Sequence, residues 1–151
     1  MRLTLHTDYA LRLLIYVAVN EGQRSTIREV AEAYDISRNH LMKVAHELQQ
    51  KGYLRTIRGK GGGLVLGMAA EQLSVGTLVR DLEPDMNLAE CFCDGSLCVI
   101  TPDCRLKGLL HRALDAFLDT LDGYTLADVL EGRNDALRRD LNIVDITPDV
   151  S

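Results

Sequence analysis

Cys91, Cys93, Cys98 and Cys104 fall within fourteen consecutive residues and are all the cysteines of a 151-residue chain. The thiolate is the nucleophilic and metal-binding form of cysteine, so a group this dense points to metal or redox chemistry. The intervening counts of one, four and five residues narrow the choice. Structural zinc sites usually come as paired knuckles, and catalytic dithiols use Cys-x-x-Cys; neither arrangement occurs here. A disulfide framework is not expected in a reducing cytoplasm. Buried structural thiols would be the better reading for one cysteine, but four in a Gly- and Asp-containing loop are hard to bury as hydrophobes. An iron–sulfur cluster, wrapped by thiolates on a loop, fits best.

Two elements must hold that loop. Upstream, Ser74 can cap a short helix with Val75, Leu78, Val79 and Leu82 inward, stopped by Pro84. Downstream, Thr101-Pro102 reads as the start of a long helix, with Thr as N-cap and Pro in the first turn. Cys104 would then lie in the first turn, where the positive helix end favours an anionic cluster. Leu106, Leu109, Leu110, Ala113, Leu114, Phe117, Leu118 and Leu121 make a broad apolar stripe ending at Gly123. A small domain rarely buries so wide a stripe alone, so an intermolecular helix pair and a two-fold homodimer are expected, with one end of the helix packing within its own subunit. One more short helix follows over 124–130, and the remainder is polar and expected to be mobile.

The first half of the chain has a different character. Residues 1–67 carry ten Lys/Arg against six Asp/Glu, and residues 68–151 carry seven against sixteen. The net charge of -5 therefore hides a basic half of +4 and an acidic half of -9. A basic half suits a nucleic-acid partner. Thr7 and Asp8 can cap a first helix with Leu11, Leu14, Ile15 and Ala18 on its apolar face. Thr26-Ile27-Arg28-Glu29 is a capping box for a second, with Ile27, Val30, Ala31 and Tyr34 inward. After a turn at Asp35-Ile36, Ser37 can cap a third helix with Leu41, Val44 and Leu48 inward. This is the helix-turn-helix pattern.

The third helix opens with Arg38, Asn39 and His40 and carries Lys43 and His46 further along. The N-terminal residues of a recognition helix reach base edges, Arg pairing with guanine and Asn with adenine, while Lys43 suits a phosphate. Any one of these residues alone would be read as a solvated helix face; together, on this helix, they point to DNA. Gly52 to Arg58 alternates like a half-exposed strand and Leu64 to Leu66 is its return. Between them Gly59-Lys60-Gly61-Gly62-Gly63 is a flexible wing tip, flanked by Arg58 and Lys60, that lets a phosphate backbone approach. A nucleotide-binding loop is excluded because no Lys-Ser/Thr follows the glycines and no helix begins there. With no nucleotide motif, acid–base pair or membrane-length apolar run, an enzyme or a membrane protein is not expected, and the chain reads as cytoplasmic.

Taken together, these stretches resemble the family of iron–sulfur winged-helix regulators, and within it the nitric-oxide-sensing repressors. The likeness is carried by Leu3-Thr4 with Thr7-Asp8-Tyr9-Ala10-Leu11-Arg12, by Ser37-Arg38-Asn39-His40-Leu41, and by Arg58-Gly59-Lys60-Gly61-Gly62-Gly63. Leu82-Glu83-Pro84, Ile100-Thr101-Pro102 and Tyr124-Thr125-Leu126-Ala127-Asp128 extend it to about Leu130. The resemblance implies a homodimer with one cluster per subunit, whose holo form represses by binding operator DNA until nitric oxide nitrosylates the cluster. It implies three cysteine ligands and a fourth ligand from an aspartate near the N-terminus of the other subunit, which here is Asp8. Arg12, one turn along, would hydrogen-bond near the cluster. Four cysteines exceed the family's three: Cys91, Cys98 and Cys104 are the favoured ligands, with Cys93 as the alternative first ligand, and a set of all four cysteines without Asp8 is the other alternative. The resemblance favours 4Fe–4S, with 2Fe–2S possible. Lys107 stands where the related cluster-biogenesis regulator has a histidine, and His111 reads as an exposed or dimer-face residue.

The expected fold is therefore mainly α with a small β-hairpin: a winged helix-turn-helix over residues 1–83, a cluster loop over 84–104, a dimerisation helix with a short following helix over 102–130, and a tail over 131–151. The main alternative is a redox- or cluster-supply-sensing regulator of the same fold. A thiol-redox enzyme or a zinc-stabilised regulator would be distinguished by turnover without DNA binding, or by a colourless, zinc-containing protein.

Overall fold

The computed structural model describes residues 2–145. Its elements are α1 (Leu5–Val19), α2 (Ile27–Tyr34), α3 (Arg38–Gln50), β1 (Leu54–Ile57), β2 (Gly63–Leu66), α4 (Val75–Leu82), α5 (Arg105–Asp122), α6 (Leu126–Leu130) and α7 (Asn134–Asp140). The fold is mainly α with one antiparallel hairpin, as the hydrophobic periods predict.

The main core forms around α1. Ala10, Leu13 and Leu14 are fully buried, and Tyr16 through Val19 are nearly so. A helix buried on most of its circumference is a central one, wider in its apolar face than the stripe predicted for it. It also begins earlier than Thr7: Thr4 is the N-cap, its Oγ1 accepting from the Thr7 N–H at 3.2 Å. That leaves Asp8 inside the first turn, where a carboxylate suits the helix dipole.

The capping box of α2 is present: the Glu29 N–H donates to Thr26 Oγ1, and the Thr26 N–H donates to Glu29 Oε2 at 2.7 Å. Asp35 takes a left-handed conformation with φ of 52°, which reverses the chain into α3. Leu41, Val44 and Leu48 of α3 are buried as expected. Ser37 occupies the cap position of that helix without a side-chain bond. The hairpin pairs Leu54 with Leu66 and Ile57 with Gly63. Ser25 and Leu64 exchange backbone bonds, so the chain entering α2 is laced to the wing.

A second, smaller core joins α4 to α5 through Val79, Leu114 and Leu118. Arg80 clasps Asp122 with two guanidinium bonds of 2.5 and 2.7 Å. The long helix starts later than Thr101-Pro102 predicts. Thr101–Asp103 is a 3-10 turn, Cys104 follows in an extended conformation at the cap position, and α5 runs from Arg105. Proline presets its own φ, but the following residues must stay helical for the helix to begin there, and Cys104 does not.

The tail also departs from expectation. Residues 134–140 form α7, Leu141 is buried, and Arg138 donates to the Val19 carbonyl at 2.9 Å. Its apolar residues, Leu137 and Leu141, are four apart and sit on one helical face against α1, which a composition-based reading overlooks. The expected tail beyond residue 145 lies outside the described residues.

Candidate nucleic-acid interface and cysteine loop

Arg38, Asn39, His40 and Lys43 all lie exposed on the first turns of α3, and Arg58 and Lys60 lie exposed at the wing. The buried row of α3 fixes this. Leu41, Val44, Ala45 and Leu48 are the buried side of the helix, so Arg38, Asn39, His40 and Lys43 fall on its outward side. Arg38 Nη2 is 3.6 Å from Glu32 Oε1, which also accepts from Arg28 Nε at 2.8 Å. The bond from Arg28 holds the Glu32 carboxyl below the usual carboxylate range. Arg38 is thus oriented from α2 while its guanidinium remains accessible.

The wing is narrow and braced. Gly61 takes φ of 72°, a conformation a side chain disfavours, and a Cβ on Gly62 would lie 2.9 Å from the Gly59 carbonyl and press harder still on that of Ile57. Arg24 donates to the Gly61 carbonyl, so the tip is tied down where the glycine content predicts flexibility. Thr56 Oγ1 donates to Gln49 Oε1 at 2.6 Å, joining the wing strand to the end of α3. Sequence patterns alone do not single out Arg24; its only signal is a cation two residues before the cap of α2.

The cysteine loop is turn-rich. Cys91 lies in the 3-10 turn Glu90–Phe92, and the Cys93 N–H donates to the Glu90 carbonyl at 3.0 Å. The Cys98 N–H donates to Ser96 Oγ at 3.3 Å. All four thiols are free; Cys91, Cys98 and Cys104 are half-buried and Cys93 is exposed. Phe92 anchors the loop: its ring stacks on His111 of α5 at 4.0 Å between centroids and packs against the Val79–Leu114–Leu118 core. His111 therefore has a packing role its sequence position did not reveal. Thr101 is bonded through its backbone to Cys98 on one side and Cys104 on the other. Its hydroxyl oxygen is buried without a partner. A buried hydroxyl without a partner, on the residue whose backbone links Cys98 to Cys104, is a donor that a cluster's sulfur atoms could use, and thiolates are the ligands such clusters use.

Among the described residues of one chain, no group of three or more His, Cys, Asp or Glu side chains is gathered at metal-holding positions. Asp8 is instead held by Arg12, through Nη2–Oδ2 of 2.8 Å and Nε–Oδ1 of 3.1 Å. The Arg12 guanidinium sits 6.0 Å from the Tyr9 ring centroid and 5.9 Å from that of Tyr34. Burial pushes the Tyr34 phenol up to about 12, so it stands neutral beside this pair. The same stretch of α1 touches α3: Tyr9 lies 6.2 Å from the His40 ring. His6 Nε2 is 2.7 Å from Glu47 Oε2, close but without hydrogen-bond alignment.

Part of the α5 stripe stays uncovered. Leu114 and Leu118 are buried, whereas Leu106 is 59% and Leu109 51% exposed. Leu97, Val99 and Ile100 at the end of the cysteine loop are exposed as well. No helix among the described residues is long and apolar enough to cross a membrane.

The sequence profile of the Rrf2 family, described as iron-dependent transcriptional regulators, matches residues 3–132. The HTH-type transcriptional regulator NsrR of Bacillus subtilis (strain 168) is 49% identical over 140 residues, covering 91% of this chain and 96% of that protein. Among solved structures, CymR, the global cysteine regulator of B. subtilis, superposes with a TM-score of 0.70 at 26% identity, over 85% of this chain and 95% of that one. T. potens IscR has the same fold, with a TM-score of 0.72 at 20% identity over 90% of each chain.

Proposed function

The chain belongs to the Rrf2 family of transcriptional regulators, a DNA-binding family and not one of enzymes, and from that premise we propose that it is a homodimeric repressor that releases its operator when nitric oxide attacks an iron–sulfur cluster. The observation that carries the reading is the cysteine loop: half-buried Cys91, Cys98 and Cys104, the last two joined through the backbone of Thr101, whose hydroxyl is buried without a partner. These three thiolates would hold the cluster, favoured as 4Fe–4S, with Cys93 exposed and left over. When bound, the cluster would supply iron that reacts with nitric oxide, and the resemblance of the chain's motifs to the nitric-oxide-sensing repressors supports that signal.

This chain's own residues do the rest. Arg38 and Asn39 read base edges, His40 lies beside them, and Lys43, Arg58 and Lys60 hold phosphates. Two copies pair through the uncovered Leu106 and Leu109 of α5, an apolar surface that one subunit leaves in water. In such a pair, Asp8 of the partner subunit would complete the ligand set. For that, Asp8 must loosen from Arg12, which then stands next to the site as a donor. Through Tyr9 and His6, α1 bears on His40 and Glu47 of α3. Loss of the Asp8 bond would let α1 shift and tilt the reading helix.

An anaerobic visible spectrum with an iron and sulfide assay, titrated with nitric oxide while operator binding is followed, tests the whole reading. A brown protein that bleaches and loses DNA together is expected. A brown protein indifferent to nitric oxide would replace this signal with redox state or cluster supply, and a colourless, iron-free protein would remove the cluster altogether.

A further inference from the structure

Leu41, Val44 and Leu48 of α3 are at most 1% exposed, whereas Met42 on the same helix is 59% exposed. One exposed apolar side chain is ordinary, but the surroundings of this one are not. Met42 stands one turn beyond Arg38, on the side of α3 that faces the wing. There it lines a groove whose walls include Ile27, Ala45 and Leu64, with Lys43 and His46 at its edge. The bond from Thr56 to Gln49 holds α3 and the wing strand together across this groove. Gly63 leaves the wing wall low, and no side chain could replace its hydrogen: a Cβ would sit 2.8 Å from the Ser25 carbonyl.

The groove lies between two basic elements, α3 with Arg38 and Lys43 and the wing with Arg58 and Lys60. Charge complementarity makes DNA the molecule that covers it. Of the groups a base pair presents in the major groove, the thymine C5-methyl is the apolar one. An unbranched thioether side chain adapts readily to such a contact.

We propose that Met42 is a specificity-determining residue that takes a thymine methyl group of the operator into the groove between α3 and the wing. The inference rests on α3 being the reading helix. It extends the readout from the hydrogen bonds of Arg38 and Asn39 to an apolar contact one turn deeper.

The probe is a duplex enriched from a random-sequence pool by the anaerobically purified full chain. Each thymine is then replaced in turn by deoxyuridine, which removes only the methyl group. At one thymine per half-site the replacement should weaken binding about fourfold, the scale of burying one methyl-sized group. Met42→Ala should bind the unmodified duplex weaker by about the same factor and be indifferent to that replacement. Met42→Leu should keep the thymine dependence. Because the side chain is largely exposed, both variants should melt with the unmodified protein. Indifference of the unmodified protein to every replacement, or an unchanged thymine dependence in Met42→Ala, overturns the proposal. Arg38→Ala separates the two levels. If it binds as tightly as the unmodified protein, the reading-helix assignment falls and this inference with it. If it loses binding while Met42→Ala keeps the thymine dependence, this inference alone falls.

Discussion

Gly62→Ala in the wing is a substitution whose effect can be followed from one carbon atom to a salt dependence. The added Cβ would press on the carbonyls of Ile57 and Gly59, both backbone atoms of the hairpin itself. The only relief is to open the turn, breaking the 2.9 Å bond from the Gly62 N–H to the Gly59 carbonyl. Losing that bond costs about 1 kcal/mol net, with local strain of about 1–3 kcal/mol where the turn cannot open. Opening would move Arg58 and Lys60 away from the phosphates. Each lost phosphate contact lowers the slope of log affinity against log salt by about 0.9. Two contacts per subunit make about 1.8, and about 3.6 for a dimer. Raising salt from about 50 to about 200 mM should then weaken the unmodified protein roughly 150-fold more than the variant. Fluorescence anisotropy across that range reads the difference, and the visible spectrum should stay the same, since the wing and the cysteine loop are separate segments. An unchanged salt slope would refute the reasoning, because the wing cations would then contribute no phosphate contact. A weaker affinity with an unchanged slope would mean that the wing matters only for stability.

Three further outcomes are expected. Cys98→Ala should abolish the cluster spectrum while Cys93→Ala retains it, and the reverse result would reassign the ligands. Leu109→Asp places a charge on the uncovered face of α5 and should shift the protein from dimer to monomer in sedimentation, together with loss of operator binding; a persistent dimer would place the interface elsewhere. Burial, aided by the hydrogen bond to Asp81, pushes the Tyr53 phenol up to about 12. A folded value above the ordinary one near 10 means this contribution is complete below pH 10 and disappears as pH rises toward 12. It amounts to about 2–3 kcal/mol. Tyr53→Phe should therefore lose less stability than the unmodified protein between pH 9 and 11.5 in urea titrations, and equal losses would show that Tyr53 is not the group responsible.

Local rules account for much of this molecule. The capping box at Thr26 and Glu29, the inward row of α3 and the two-strand wing follow from side-chain types at fixed spacing, and each forms where the spacing puts it. The start of α5 did not follow, because a Thr-Pro pair is compatible with either a helix or a 3-10 turn. The choice was made by the extended backbone at Cys104, which no neighbouring residue type dictates. The helix near the C-terminus was equally invisible. Its charged composition reads as solvated until α1 supplies an apolar surface for Leu137 and Leu141 and a carbonyl for Arg138.

The candidate site divides along the same line. Residue types alone determined that thiolates would be available in one loop and that cations would line one helix and one turn, because those are properties of single side chains and their periodicity. Tertiary structure decided what those groups meet. It placed Arg12 on both oxygens of Asp8, His111 against Phe92, Arg24 on the wing tip, and the Thr101 hydroxyl in a buried position with no partner. It also divided the α5 stripe into a half that packs on α4 and a half left exposed, from Leu106 to Leu109. Contacts between residues distant in the chain depend on how whole elements dock. Docking is set by the summed burial of many side chains, so no short stretch of sequence encodes it alone.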